Sequence, residues 1–121
     1  MVKGLESVII WTDDIGRLLP FYRDLLGLKP EFESEEFVAF GSPASGSRLA
    51  LGRHSEVSGP TKDPFRMMLN LSVDDCQAEY ERLSGQGVEF LRKPSVENEH
   101  MIMATLKDPD GNMLQLMQQQ G

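Results

Sequence analysis

One cysteine, one tryptophan and two histidines are all that 121 residues carry of the side chains most used for crosslinking, stacking and metal binding. The lone thiol, Cys76, rules out an intramolecular disulfide and any cysteine-cluster metal site. No run approaches the roughly 18 consecutive apolar residues of a membrane-spanning helix, so no membrane partner is expected. The opening Met1-Val2-Lys3-Gly4-Leu5-Glu6 lacks the apolar stretch and small-residue cleavage site of a secretory signal, and the chain is expected to be cytoplasmic. Positive charge is also short: 12 Lys and Arg against 19 Asp and Glu leave a net charge of −7. Such a surface repels phosphate backbones, which argues against a nucleic-acid partner. It attracts cationic small molecules at long range, although acidity also serves simply to keep a protein in solution.

What is present is a repeat. At an offset of 61 residues, Val8-Ile9-Ile10-Trp11-Thr12-Asp13-Asp14 aligns with Leu69-Asn70-Leu71-Ser72-Val73-Asp74-Asp75. Each segment is strand-like, ends in Asp-Asp, and is followed by a helical stretch that stops near glycine. The first helix places Ile15, Leu18, Leu19, Tyr22, Leu25 and Leu26 on one face, with Asp13 or Asp14 to cap it and Gly27 to end it. Pro20 costs a helix interior roughly 3 kcal/mol, so the first turn is expected to be irregular and the regular part to begin near Pro20. The second helix buries Cys76, Tyr80 and Leu83, with capping-box spacing from Asp74 to Gln77 and Gly85 and Gly87 as stops.

Extended segments complete each copy: 28–33, 37–40 and 48–54 in the first, 88–92, 101–106 and 112–117 in the second. The Gly/Ser/Pro loop 41–47 and the turn Lys107-Asp108-Pro109-Asp110-Gly111 separate strands. Breaker-rich residues 55–65 part the copies, giving modules 1–57 and 66–121 with a linker at 58–65. The expected fold class is α+β, two βαβββ modules. Asp108 and Asp110 read as turn-builders, and Cys76, spaced with Tyr80 and Leu83, as buried packing rather than a nucleophile.

The segment Asp14 to Leu28, with Phe21-Tyr22-Arg23-Asp24-Leu25-Leu26-Gly27-Leu28, and the later Asp108-Pro109-Asp110-Gly111-Asn112 resemble the vicinal-oxygen-chelate superfamily, the glyoxalase, bleomycin-resistance and extradiol-dioxygenase proteins. With the duplication, the resemblance covers nearly the whole chain. It implies mixed sheets curling into a cup with helices behind, and a homodimer. In metal-dependent relatives it further implies four ligands, usually His, Glu or Gln, from the first and fourth strands of each module.

Side chains alternate along a strand, which separates cup-facing from helix-facing residues. In the first strand Val8 and Ile10 face the helix, leaving Ser7, Ile9 and Trp11 for the cup. In the matching strand Leu69, Leu71 and Val73 face the helix and Met68, Asn70 and Ser72 the cup. In the last strand Leu114 and Leu116 pack inward, with Met113, Gln115 and Met117 on the cup face. Met101 and Met103 are candidates to join them, and Arg48 adds a polar anchor. The expected ligand-binding set is thus Ser7, Ile9, Trp11, Arg48 and Ala50 in one module and Met68, Asn70, Met113, Gln115 and Met117 in the other. Methionine is flexible and polarisable and suits aromatic ligands, while methionines at strand spacing also serve as plain core.

Carried over by the resemblance, the four metal-ligand positions fall on Ser7, Ala50, Met68 and Gln115, with Ala50 open to a one-residue shift. Alanine has no donor atom, serine is a poor neutral ligand, and a thioether suits soft copper rather than hard or borderline divalent ions. No metal and no other cofactor is expected. His54 lies roughly 13 Å beyond Ala50 at about 3.3 Å per residue, at the rim, and His100 stands in an acidic segment. A displaced site built from these histidines is the competing arrangement.

Three functions compete. The first is a metal-free binding protein for an aromatic or cationic metabolite or antibiotic, as in the bleomycin-resistance branch. The second is a glyoxalase-like lyase, isomerase or dioxygenase with an atypical site. In the third, the pocket is regulatory or the dimer itself is the functional object.

Overall fold

A computed structural model describes residues 1–41 and 48–120, so most of the expected Gly/Ser/Pro loop lies outside the described residues. The chain divides into two compact units, Met1–Gly59 and Pro60–Gly121. No helix among the described residues is long and apolar enough to cross a membrane.

In the first unit, β1 (Val8–Thr12) leads into α1 (Ile15–Leu19), which continues as a π-helical segment, Pro20–Leu25. Strands β2 (Pro30–Glu33), β3 (Phe37–Phe40) and β4 (Leu49–Arg53) follow. The sheet runs β1-β4-β3-β2, with β1 and β4 parallel and the other neighbours antiparallel. The second unit repeats this with β5 (Met68–Ser72), α2 (Cys76–Gly85), β6 (Phe90–Asn98), β7 (Met101–Lys107) and β8 (Met113–Gln119). Its order is β5-β8-β7-β6, again with one parallel pair, β5 and β8. The expected α+β fold of two βαβββ modules is what the chain forms.

Each helix closes one side of its own sheet. In the first unit Ile15, Leu18, Phe21 and Tyr22 are buried, as are Val38, Phe40 and Leu51 on the strands. The Tyr22 ring lies 6.5 Å from Phe40. In the second, Cys76 and Leu83 are buried, as are Ala104, Leu106, Leu114 and Leu116 on the strands, and Tyr80 meets Phe90 edge-on at 4.8 Å. Each large apolar side chain so covered stabilises the fold by about 1.5–3 kcal/mol.

The first helix corrects the expectation about Pro20. Its regular turn precedes the proline and the irregular part follows it. Proline cannot donate to the Gly16 carbonyl and its ring presses on that group, so the ladder widens. Leu26 N accordingly donates to Phe21 O, five residues back, at 2.9 Å. The wider turn keeps both Phe21 and Tyr22 inward, and Phe21 was absent from the expected face.

The second helix corrects its cap. Asp75, not Asp74, is the N-cap, its carboxylate accepting from Ala78 N at 3.0 Å. The side-chain amide of Gln118 adds a long-range cap, its Oε1 accepting from Cys76 N at 2.8 Å. Asp14 occupies the matching position of α1 but makes no side-chain cap bond; its own N–H donates to the Thr12 hydroxyl at 3.2 Å.

Candidate ligand-binding faces

Because the helix covers one side of each sheet, alternation leaves a second side open within the unit. Along β1, Ile9 and Trp11 are 36% and 43% exposed while Thr12 is fully buried, the alternation read from the sequence. Along β5, Asn70 and Ser72 are exposed and their neighbours half-buried. Strand register extends both open faces across all four strands, since directly paired residues point the same way.

In the first unit one row runs Ile9–Ala50–Ala39–Phe32 and the next runs Trp11–Gly52–Phe37. The Trp11 ring lies directly over Gly52. A Cβ built on that glycine would stand 2.4 Å from Trp11 Cζ3, so only glycine lets the indole lie flat on the strand. His54 abuts the same ring edge-on, centroids 5.4 Å apart, with its backbone N–H on Thr12 O at 3.1 Å. Its Nδ1 accepts from Glu56 N at 3.1 Å. Ser7 lies half-buried just before β1, Ala50 is buried, and Arg48 is exposed with its carbonyl accepting from Val8 N at 3.0 Å.

In the second unit the corresponding row is Asn70–Gln115–Thr105–Arg92, flanked by Met68–Met113–Lys107 on one side and Ser72–Met117–Met103 on the other. Met113 is buried; Met68, Gln115, Met117, Met101 and Met103 are half-buried. Five of the seven methionines thus share one face. Ile9, Trp11 and Ala50 share one open face in the first unit, as Met68, Asn70, Met113, Gln115 and Met117 do in the second, while Ser7 and Arg48 lie just before β1 and β4. Sequence reasoning missed Gly52, Ala39, Phe37 and Phe32 in the first unit and Thr105, Arg92 and Lys107 in the second, because their places depend on pairing between strands.

The same register relates the four positions that the resemblance implies for a metal's ligands. Ala50 pairs with Ile9, two residues beyond Ser7, and Gln115 pairs with Asn70, two beyond Met68. Ala50 is therefore the counterpart of Gln115 by register. A hydroxyl, a methyl, a thioether and one carboxamide do not fit zinc, nickel, manganese or iron. His54 and His100 belong to different units, and His100 is exposed, its N–H bound to Asn98 Oδ1 at 2.8 Å. Among the described residues no three of His, Cys, Asp and Glu are grouped so as to hold a metal ion.

The remaining candidates are structural. Burial, followed by the neighbouring Asp75 charge, pushes the Cys76 thiol up rather than toward a reactive thiolate. Asp108 builds its turn, accepting from Asp110 N, Asn112 N and Asn112 Nδ2 at 2.8–2.9 Å. Thr61 ties onto that turn through Asp110 O at 2.8 Å and Asn112 Oδ1 at 2.5 Å.

Comparison with known proteins places this geometry. A family model described as Glyoxalase/Bleomycin resistance protein/Dioxygenase superfamily matches residues 4–116. An uncharacterized protein of Shewanella frigidimarina is 26% identical, covering 98% of this chain and 95% of its own. A member of the same superfamily from Sphaerobacter thermophilus superposes with a TM-score of 0.76 at 23% identity, covering 98% of both chains. An antibiotic binding protein from a Streptomyces species does so at 0.76 and 20% identity, covering 98% of this chain and 97% of that one.

Proposed function

The chain belongs to the Glyoxalase/Bleomycin resistance protein/Dioxygenase superfamily, and from that premise we propose that it is a metal-free binding protein for a small aromatic molecule. The observation that carries this reading is the pairing of a donor-poor ligand set with an exposed indole laid flat over Gly52. Metal-dependent members polarise substrate oxygens through an ion. The residue types at Ser7, Ala50, Met68 and Gln115 do not fit such an ion. Binding remains. Trp11, backed by the strand and braced by His54, presents a flat π-surface, with Ile9, Phe37 and Phe32 extending the apolar floor. In the second unit the methionines supply an adaptable lining. A structural neighbour described as an antibiotic binding protein supports the same use of this fold.

The homodimer belongs to the same proposal. Among the described residues each sheet has one side uncovered by its own helix and two edge strands paired along one side only, surfaces that dimerisation would cover. A cytoplasmic setting is proposed with it, in keeping with a single, buried thiol. Sedimentation at micromolar concentration should report twice the chain mass; the chain mass itself would refute the dimer.

Trp11 is the only tryptophan, so its indole N–H gives one cross-peak in a ¹⁵N-correlated spectrum. Neutral 2-naphthamide should shift that peak saturably. Stacking adds about 0.5–1.5 kcal/mol beyond area burial, so Trp11→Ala, followed at backbone amide peaks because the indole reporter is gone, should weaken binding about 2- to 10-fold. An indole peak unmoved up to the solubility limit would refute the reading.

A further inference from the structure

The two units place opposite chemistry on one equivalent row. Ile9, Ala50, Ala39 and Phe32 make it wholly apolar in the first; Asn70, Gln115, Thr105 and Arg92 make it wholly polar in the second. Methionine flanks the polar row on both sides, through Met113 and Met68 and through Met103 and Met117. Thr105, at its middle, is 4% exposed although it points away from the helix side. The row's one charge is the Arg92 guanidinium, in a chain whose net charge is −7. A carboxylate partner, Glu97, stands at a register irregularity of edge strand β6, 3.3 Å from Arg92 and accepting from the Ser95 hydroxyl at 3.4 Å. That pair is 63% and 34% exposed, hence weak and exchangeable.

We infer that the open face of the second unit selects a carboxylate on the ligand, held over Thr105 between Arg92 and Gln115. Strands lie about 4.8 Å apart, so Arg92 and Gln115 stand on either side of Thr105 within reach of one carboxylate, and Asn70 lies one strand beyond. The planar guanidinium fork matches two carboxylate oxygens, while the Thr105 hydroxyl and the Gln115 amide complete their hydrogen bonds. Asn and Gln serve acceptors and donors alike, and Lys107 on the flanking row is paired with Glu89 at 3.5 Å, so Arg92 decides the sign. Glu97 touches one nitrogen of the fork in the free protein and gives way to the ligand. Methionine flanks take the apolar body, making the preferred ligand a flat apolar acid. The whole-chain charge favours cations only at a distance, and salt screens it beyond about 8–10 Å. This inference rests on the aromatic-binding reading above and specifies its ligand.

Protein labelled at methionine methyl carbons tests it, since Met68, Met101, Met103, Met113 and Met117 report this face and Met1 and Met67 serve as controls. Three probes share one ring system: 2-naphthoate, 2-naphthamide and 2-naphthylmethylammonium. Naphthoate should shift the face methyls with at least fivefold lower Kd than the ammonium, a roughly estimated margin for a charge-assisted contact. Arg92→Gln should erase that preference and Glu97→Gln should enhance it; both sites are exposed, and methyl dispersion verifies folding. Equal affinities, a preference for the ammonium, or a preference that survives Arg92→Gln would overturn the inference while leaving aromatic binding intact. Probes that move neither the methyls nor the Trp11 indole would sink both.

Discussion

The two units share a backbone plan and differ in nearly everything laid on it. Both run βαβββ with the first and fourth strands parallel. Both bury aliphatic side chains between helix and sheet, Leu18 with Leu51 in one and Leu83 with Leu114 in the other. The helices part company: one is a short α-turn opening into a π-segment at Pro20, the other a regular helix capped by Asp75 and Gln118. The open faces part further, aromatic and small-residue in the first unit, methionine and polar in the second. The helix side of a repeat is constrained by packing, whereas its open side is free to specialise.

The packing equivalence breaks first if core truncation acts unequally. Leu18→Ala and Leu83→Ala should each cost about 2–5 kcal/mol in urea unfolding, and a loss under about 1 kcal/mol in either unit would end the equivalence. Caps come next. Asp75→Ala should cost about 0.5–2 kcal/mol by leaving Ala78 N without its carboxylate, while Asp14→Ala should cost clearly less for want of a cap bond. Thermal melts of the pair decide that contrast. Gly52→Ala should cost little stability, because the half-exposed indole can swing aside, yet it should move the Trp11 cross-peak and weaken 2-naphthamide. Met117→Ala, at the counterpart position by register, should instead shift the methyl signal of Met103, its partner across the strands.

The smallest effect concerns acid. Hydrogen bonds from the Arg17 guanidinium, then from the Gly59 amide, hold the Asp13 carboxyl below its usual 3.8. A depressed folded pKa gives stability that is present above 3.8 and lost as pH falls through the lower folded value. Asp13→Asn should therefore flatten the acid limb of a stability-against-pH curve slightly, and an unchanged limb would remove this pair from the account.

Much of this was legible before any coordinates. The offset of 61 residues follows from self-similarity, and the strand parity of Ile9, Trp11, Asn70 and Gln115 and the packing role of Leu18 and Leu83 from apolar periodicity. The π-segment was not, because Pro20 marks a disturbance without saying on which side the ladder yields. Asp74 and Asp75 are chemically equal as caps, and only the end of β5 decides between them. The polar row was hidden because strand partners depend on turns and on irregularities such as those flanking Arg92 and Phe32. Parity assigns a residue its face; it does not name the residue beside it.

The central claim is that this fold binds its ligand without a metal. One titration tests it most directly: 2-naphthamide followed at the Trp11 indole peak of untagged protein, in excess EDTA and again with added zinc, nickel or manganese. The same Kd in every condition is the result expected from Ser7, Ala50, Met68 and Gln115. Binding abolished by EDTA and restored by one of those ions would contradict it.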